Sequence, residues 1–286
     1  GMGNTIDRIH DPITVSAMWL GSGDSGIVHI CADIIGLTNF EVNIVRDSLK
    51  EFSEKSNCKS INISCSHTHA GFDTVGYWGQ LYKLQSGKDK DYMDLLLKSL
   101  EEVTRECYKN RKEGKLYIGK THVPSAQLDK REPIILHDVL TRTRFVPEDG
   151  STEIWFMNFA AHPNTLGGGN RTVSADYPYW LRKTITDAKD ANVLFGPGAI
   201  GGVDPGDYSD DVWGHWAEKL STYIPKDMCI YCEIVGYTPN GTPIQKGYDY
   251  GCLPTDEVKS KLMVYRMTYE DKEMEVNEVI AFGQFL

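Results

Sequence analysis

The chain has 286 residues, 41% of them hydrophobic, and a formal net charge of −10. That is enough apolar material for one large domain or two smaller ones. No basic cluster stands out, which argues against nucleic acid as a partner, and no apolar run is long enough for a membrane-crossing helix. The seven cysteines, Cys31, Cys58, Cys65, Cys107, Cys229, Cys232 and Cys252, form an odd, scattered set rather than a disulfide framework. Gly1 ahead of Met2 reads as a cloning remnant. No signal-peptide pattern follows, so a cytoplasmic protein with reduced thiols is the expectation.

In chain order, 13–20 and 27–32 read as two strands joined by the turn Gly21-Ser22-Gly23-Asp24. Thr38-Asn39-Phe40-Glu41 follows as a capping box, in which threonine and glutamate satisfy each other's orphan backbone donors. It opens a helix with Ile44, Val45, Leu49 and Phe52 on one face. The strand 61–65 comes next and ends in Ser66-His67-Thr68-His69-Ala70-Gly71. A glycine- and aromatic-rich loop over 71–87 leads to an amphipathic helix over 91–108, with Met93, Leu96, Leu97, Leu100 and Val103 at helical spacing. Strands are predicted at 116–121, 139–146 and 154–161, and the last runs into His162-Pro163. A third helix spans 176–187, a short strand 192–195, and a fourth helix 210–223. Strands dominate to the end and are expected to form a second sheet, with 278–286 as the middle of a hairpin. The predicted class is α/β, with mixed β-sheets layered with flanking α-helices.

The chemistry concentrates at strand exits. Strand side chains alternate, so His67 and His69 are expected on the face of Ile61, Ile63 and Cys65. Imidazoles on such a face must be hydrogen-bonded or metal-bound, because an unpaired buried polar group is costly. His162 at the end of a second strand makes three, and ligands collect outside the carboxyl ends of strands in helix-covered sheets. Zinc accepts neutral imidazole well. Asp33, at the end of the second strand, either caps the turn into the next helix or orients a histidine from behind.

Gly196-Pro197-Gly198-Ala199-Ile200-Gly201 matches GxGxxG in form only, with Pro197 inside it and no helix directly after. Its glycines, and Gly167-Gly168-Gly169-Asn170 after His162, are better read as backbone close to a bound group. Gly168, Asn170 and Gly201 are therefore the candidate substrate-binding residues. Cys229-Ile230-Tyr231-Cys232 lacks the second pair that a zinc knuckle needs. His10, His29, His122, His137 and His215 read as ordinary structural or surface residues.

Five stretches together resemble the neutral/alkaline ceramidase family of zinc amidases. They are Ile9-His10-Asp11-Pro12-Ile13, Cys31-Ala32-Asp33-Ile34-Ile35-Gly36-Leu37, Ser66-His67-Thr68-His69-Ala70-Gly71, Asn158-Phe159-Ala160-Ala161-His162-Pro163 with Ser174-Ala175-Asp176-Tyr177-Pro178, and Gly201-Gly202-Val203-Asp204-Pro205. The resemblance implies a single ceramidase-like catalytic domain over 1–286, without the family's later part and C-terminal sandwich domain. It implies one zinc ion held by His67 and His162, with His69 beside it as a catalytic residue. It also implies that Arg131, in Asp129-Lys130-Arg131-Glu132-Pro133, is the family's active-site arginine.

The pattern departs from the family in two places. Asp204 stands at the family's catalytic serine, and Gly202 at its aspartate. The glutamate and tyrosine that complete the family's zinc shell have no clear counterpart, since Glu233, Tyr237 and Tyr248 do not fit in order or spacing. The expected activity is zinc-dependent hydrolysis of an amide or ester in a small or lipid-like molecule other than ceramide, with Asp204 orienting the attacking water. The alternative is a non-catalytic family member with an incomplete metal site, acting as a binding module. A homo-oligomer that supplies carboxylates across its interface would complete the shell.

Overall fold

A computed structural model describes residues 6–79, 85–123, 126–129, 131–167 and 170–205. Beyond 205 it describes the backbone of four strands only. The elements in order are β1 (Arg8–Ile9), β2 (Val15–Ser22), β3 (Ser25–Ala32), α1 (Asn39–Ser48), α2 (Lys50–Ser56), β4 (Cys58–Cys65), α3 (Lys90–Lys109), β5 (Gly114–His122), β6 (Gln127–Asp129), β7 (Val139–Pro147), β8 (Glu153–Phe159), β9 (Thr172–Val173), α4 (Tyr177–Ala188), β10 (Ala191–Pro197), β11 (Val203–Pro205), β12 (Glu233–Tyr237), β13 (Pro243–Lys246), β14 (Lys272–Val279) and β15 (Ala281–Phe285). The predicted fourth helix, Cys229, Cys232 and Tyr248 lie outside the described residues.

Strand alternation builds four layers. In β2 and β3, Ala17, Trp19, Val28, Ile30 and Ala32 face one way and pack under α1, α2 and α3 with Val45, Leu49, Phe52, Leu96, Leu100 and Val103. Met18 and Cys31 face the other way and meet Leu116, Phe145, Ile154 and Leu194 of the second sheet. That sheet turns Trp155, Met157, Phe159, Val193 and Phe195 outward under Tyr177, Leu181 and Ile185 of α4. The result is helix, sheet, sheet, helix, which bears out the α/β class.

The four-stranded sheet runs β15-β2-β3-β4 and the five-stranded one β10-β8-β7-β5-β14. Each holds one parallel pair joined through helices, β3 with β4 and β8 with β10. The other pairings in both sheets are antiparallel. The carboxyl ends of these two parallel pairs carry the histidines.

Local chemistry explains the helix boundaries. The capping box forms as expected, with Thr38 N–H donating to Glu41 Oε2 at 3.1 Å and Phe40 N–H to Thr38 Oγ1 at 3.3 Å. The single helix expected after it is two, broken at Leu49, which ends α1 and precedes α2. Asn57, at φ 53°, closes α2 in the left-handed conformation that short polar residues tolerate. Val45, Leu49 and Phe52 are buried as predicted, whereas Ile44 stays 36% exposed.

The C-terminal expectation needs correction. The later strands do not form one sheet of their own: β12 and β13 pair with each other, but β14 pairs with β5 in one sheet and β15 with β2 in the other. β14 and β15 each cover an edge that would otherwise be left open.

Phe145, with no exposed surface, sits where the two sheets meet. Phe145→Ala is expected to lower unfolding free energy by roughly 3–5 kcal/mol. Urea unfolding followed by circular dichroism measures this, and a loss under about 1 kcal/mol would mean that the sheets do not pack through this ring.

Candidate metal centre

His67 is placed by the segment that leaves β3. Ser66 N–H donates to Ala32 O at 2.8 Å and His67 N–H to Ile34 O at 3.0 Å. The His67 ring turns its Nδ1 to Ile35 O at 2.5 Å. The strand ends at Cys65 and His67 has φ 65°, so the alternation expected to carry both histidines along one strand face stops before them. A side chain held at positive φ costs of order 1–3 kcal/mol and persists only where its surroundings enforce it. Three bonds from one neighbouring segment do so here.

His69 links the two halves of the centre. Its N–H donates to Pro163 O at 3.1 Å, which joins the H-T-H turn directly to the His162 turn. Between the histidines, fully buried Thr68 donates from Oγ1 to Ser174 O at 2.8 Å and accepts from Ala70 N–H at 3.2 Å. Ser174 N–H returns a bond to Ala70 O at 2.9 Å. On the far side, Val203 O accepts both His162 N–H at 3.0 Å and the His162 ring through Nδ1 at 2.9 Å.

These bonds bring the three rings together. Centroid separations are 5.0 Å for His67–His69, 5.0 Å for His67–His162 and 5.4 Å for His69–His162. One ring nitrogen from each lies within 4.8 Å of the others. A carbonyl oxygen can only accept, so Nδ1 carries a proton in His67 and His162, and in the neutral ring this leaves the lone pair on Nε2. That is the arrangement of a metal-binding imidazole oriented by its outer partner. No described partner fixes the His69 ring, which keeps an exposed edge.

Electrostatics favours the neutral forms. Burial, followed by the charge of the two neighbouring rings, lowers His69 to about 4. His67 is also lowered, first by burial and then by His162, against the bond to Ile35. Two rings of lowered proton affinity, with nitrogens that converge on a third, form a group that could hold a metal ion.

Buried carboxylates brace the surroundings. Asp11 accepts from Ser174 Oγ at 2.5 Å and Ala175 N–H at 2.7 Å, and lies 2.9 Å from His10 Nδ1. His10 is thus part of this scaffold rather than an unconnected residue. Asp176 accepts from Thr165 Oγ1 at 2.7 Å, Tyr177 N–H at 2.7 Å and Leu166 N–H at 3.3 Å, and burial raises it to about 6. It caps α4 at φ 61°, ψ −150°, a region nearly reserved for glycine. Asp33 accepts from Thr14 N–H and Oγ1, both at 2.9 Å, and from Arg182 at 3.1 and 2.6 Å. It neither caps the next helix nor touches a histidine, since the partner of His67 is the Ile35 carbonyl. Asp11, Asp176 and Arg182 had no predicted role. The first two sit in the quoted motifs, and nothing in the sequence marks Arg182.

Other candidates fall around the centre. Asp204 Oδ1 lies 3.8 Å from His162 Nδ1, and its charge raises His69 against the other influences. β11 pairs with β6, setting Val203 opposite Asp129. Beyond that pair, the Arg131 guanidinium lies over Gly202, where an added Cβ would sit 2.5 Å from Nε. Gly201 is exposed at φ 29°. The Asn170 side chain is engaged locally, donating to Thr172 O at 2.7 Å and accepting from Thr172 N–H at 3.1 Å. Gly168 lies outside the described residues. In the GxGxxG stretch, Gly196 packs against Phe156, and Gly198 would set a Cβ 3.1 Å from that of Ala160, so these glycines serve strand contact. Cys31, Cys58, Cys65 and Cys107 are free thiols. Among the described residues, no helix is long and apolar enough to cross a membrane.

No family model and no curated protein matches this sequence. Solved structures do. One described as a ceramidase complexed with C2 matches 93% of this chain at TM-score 0.65 and 13% identity, covering 38% of its own length. The neutral ceramidase from Pseudomonas aeruginosa matches 90% at TM-score 0.57 and 10% identity, covering 44% of its length. The fold is therefore ceramidase-like, and the chain spans less than half of either protein.

The lowered imidazoles make stability depend on pH. Unfolded, His69 takes a proton near its ordinary 6.5, whereas folded it does so only near about 4. Between those values the unfolded chain binds more protons. Metal-free protein is thus expected to lose thermal stability as pH falls from about 6.5 to about 4 and to level off below. Melting curves across that range check it, and an equally steep slope in His69→Ala would remove this ring as a source.

Proposed function

We propose that the chain is a zinc-dependent hydrolase of an amide or ester bond in a small or lipid-like molecule. One observation carries the reading: three imidazoles from two separate sheets place ring nitrogens within 4.8 Å of one another, with two of the rings oriented by carbonyl acceptors. The likeness to ceramidases supports the choice of reaction class but not of ceramide.

The donor set fits zinc. His67 and His162, each with Nδ1 committed to a carbonyl, would hold the ion through Nε2. Bound zinc supplies a Lewis acid and a water that ionises near neutral pH. His69 has a different part. With its exposed edge and low proton affinity it is neutral at pH 7, and its ring N–H can donate a hydrogen bond that polarises the reacting carbonyl. The Arg131 guanidinium beside Gly202 offers planar, charged donors to a carbonyl oxygen that becomes negative. Asp204 stands on the Nδ1 side of His162, away from the Nε2 that would meet the ion, so it acts through its charge on His69 rather than by orienting the attacking water.

Purified protein is expected to bind one zinc per chain, and His67→Ala or His162→Ala to weaken binding by more than about 100-fold, beyond the cost of losing an outer partner. A panel of amide, ester, lactone and phosphoester substrates with added zinc identifies the bond, because wild type will cleave one class and His67→Ala will not. A folded wild-type protein with no affinity for zinc would leave a binding module on a ceramidase-like fold. Equal rates in wild type and His67→Ala would place the chemistry elsewhere.

A further inference from the structure

Helix α4 touches both carriers of the imidazole cluster, and the two contacts differ in kind. At its start, Tyr177 donates from its hydroxyl to Ala161 O at 2.7 Å, next to His162. The cap residue Asp176 grips Thr165 and Leu166, just beyond it. One turn further on, Arg182 leaves the helix toward the other sheet. Its guanidinium meets Asp33 side by side, Nη1 to Oδ1 at 3.1 Å and Nη2 to Oδ2 at 2.6 Å. Asp33 lies within the segment whose carbonyls at Ala32, Ile34 and Ile35 place Ser66 and His67. Thr14 secures the same carboxylate from β2's side through two further bonds.

Both partners are buried, with side-chain exposure of 12% for Arg182 and 3% for Asp33. A buried ion pair is weak evidence of stabilisation, because desolvation offsets most of the attraction. Its distinctive property is direction. Apart from the bonds that join the H-T-H turn to Pro163 and Ser174 at the rim, the sheet faces meet through Met18, Cys31, Leu116, Phe145, Ile154 and Leu194, contacts that tolerate small sliding. A bidentate guanidinium–carboxylate pair fixes both distance and plane.

We propose that the Arg182–Asp33 pair is a positioning device that sets the spacing of His67 and His162, with α4 as the bracket between them. Neither residue touches the imidazole nitrogens, so both act through the segments that they hold. The importance of that spacing rests on the metal reading above, but the spacing itself does not.

Zinc titration with a competing chelator tests the device in Arg182→Lys, which keeps the charge and loses the fork, and in the neutral double variant Asp33→Asn, Arg182→Met. The double variant is expected to melt within about 4 °C of wild type. In both variants zinc should bind about tenfold more weakly, the lower end of the cost of losing a partner that bonds the ligand directly. Nitrogen NMR of metal-free protein should show altered His67 and His162 imidazole signals and an unchanged His29. Zinc affinity within about twofold of wild type, with unaltered imidazole signals, overturns the proposal. If the double variant does not fold, Arg182→Lys decides by the same measurements. If wild type binds no zinc, the metal reading fails, and the imidazole signals alone decide between a positioning pair and a merely structural one.

Discussion

Two stacked sheets share no ladder of hydrogen bonds, so a site built from both depends on the few polar bonds that cross the gap. Here the central one is the bond from His69 N–H to Pro163 O. It ties the turn after β4 to the turn after β8, and each turn brings its own histidine. Thr68 and Ser174 reinforce the join with bonds in both directions, one from a side chain and one from the backbone. Take the crossing bonds away and the layers retain only apolar contact, which holds surfaces together without fixing what lies at their rims.

That join makes the local costs intelligible. His67 and Asp176 both hold positive φ, although neither is glycine. Two of the three gathered imidazoles, His67 and His69, sit where burial and the neighbouring rings disfavour a proton on them. A sequence selected for stability alone would relax each of these. Departures from local preference that cluster at one point and are enforced by surrounding bonds are what a functional site looks like.

Much of this architecture is readable from the residues in order. Alternation in β2, β3 and β8 sorts their side chains between the layers, and the box at Thr38 and Glu41 marks α1. The convergence of His67, His69 and His162 followed from strand ends that point the same way. Its route did not, because alternation fails at Cys65, one residue before the turn that sets His67 at positive φ. Leu49 looked like one more apolar position in a helix, since nothing in its side chain reveals the break in the backbone there. β14 and β15 read as part of a separate later sheet because proximity in sequence hides that β5 and β2 each offered an edge. Arg182 carried no mark at all: a polar residue on an amphipathic helix is usually solvated, and its partner lies 149 positions away.

The carboxylates around the centre narrow what can complete it. Asp11, Asp33 and Asp176 lie in the supporting segments, and each is already committed to protein donors: Ser174 and Ala175 for the first, Thr14 and Arg182 for the second, Thr165, Leu166 and Tyr177 for the third. Using any of them as a ligand would break a bond that holds a histidine-bearing turn in place. Among the described residues, Asp204 is the carboxylate whose field reaches both His69 and His162. It stands on the Nδ1 side of His162, behind the nitrogen that remains open. From there its negative charge favours a cation at the rings without competing for the same position. The imidazoles can then face a cation directly, while every nearby acid acts from behind them.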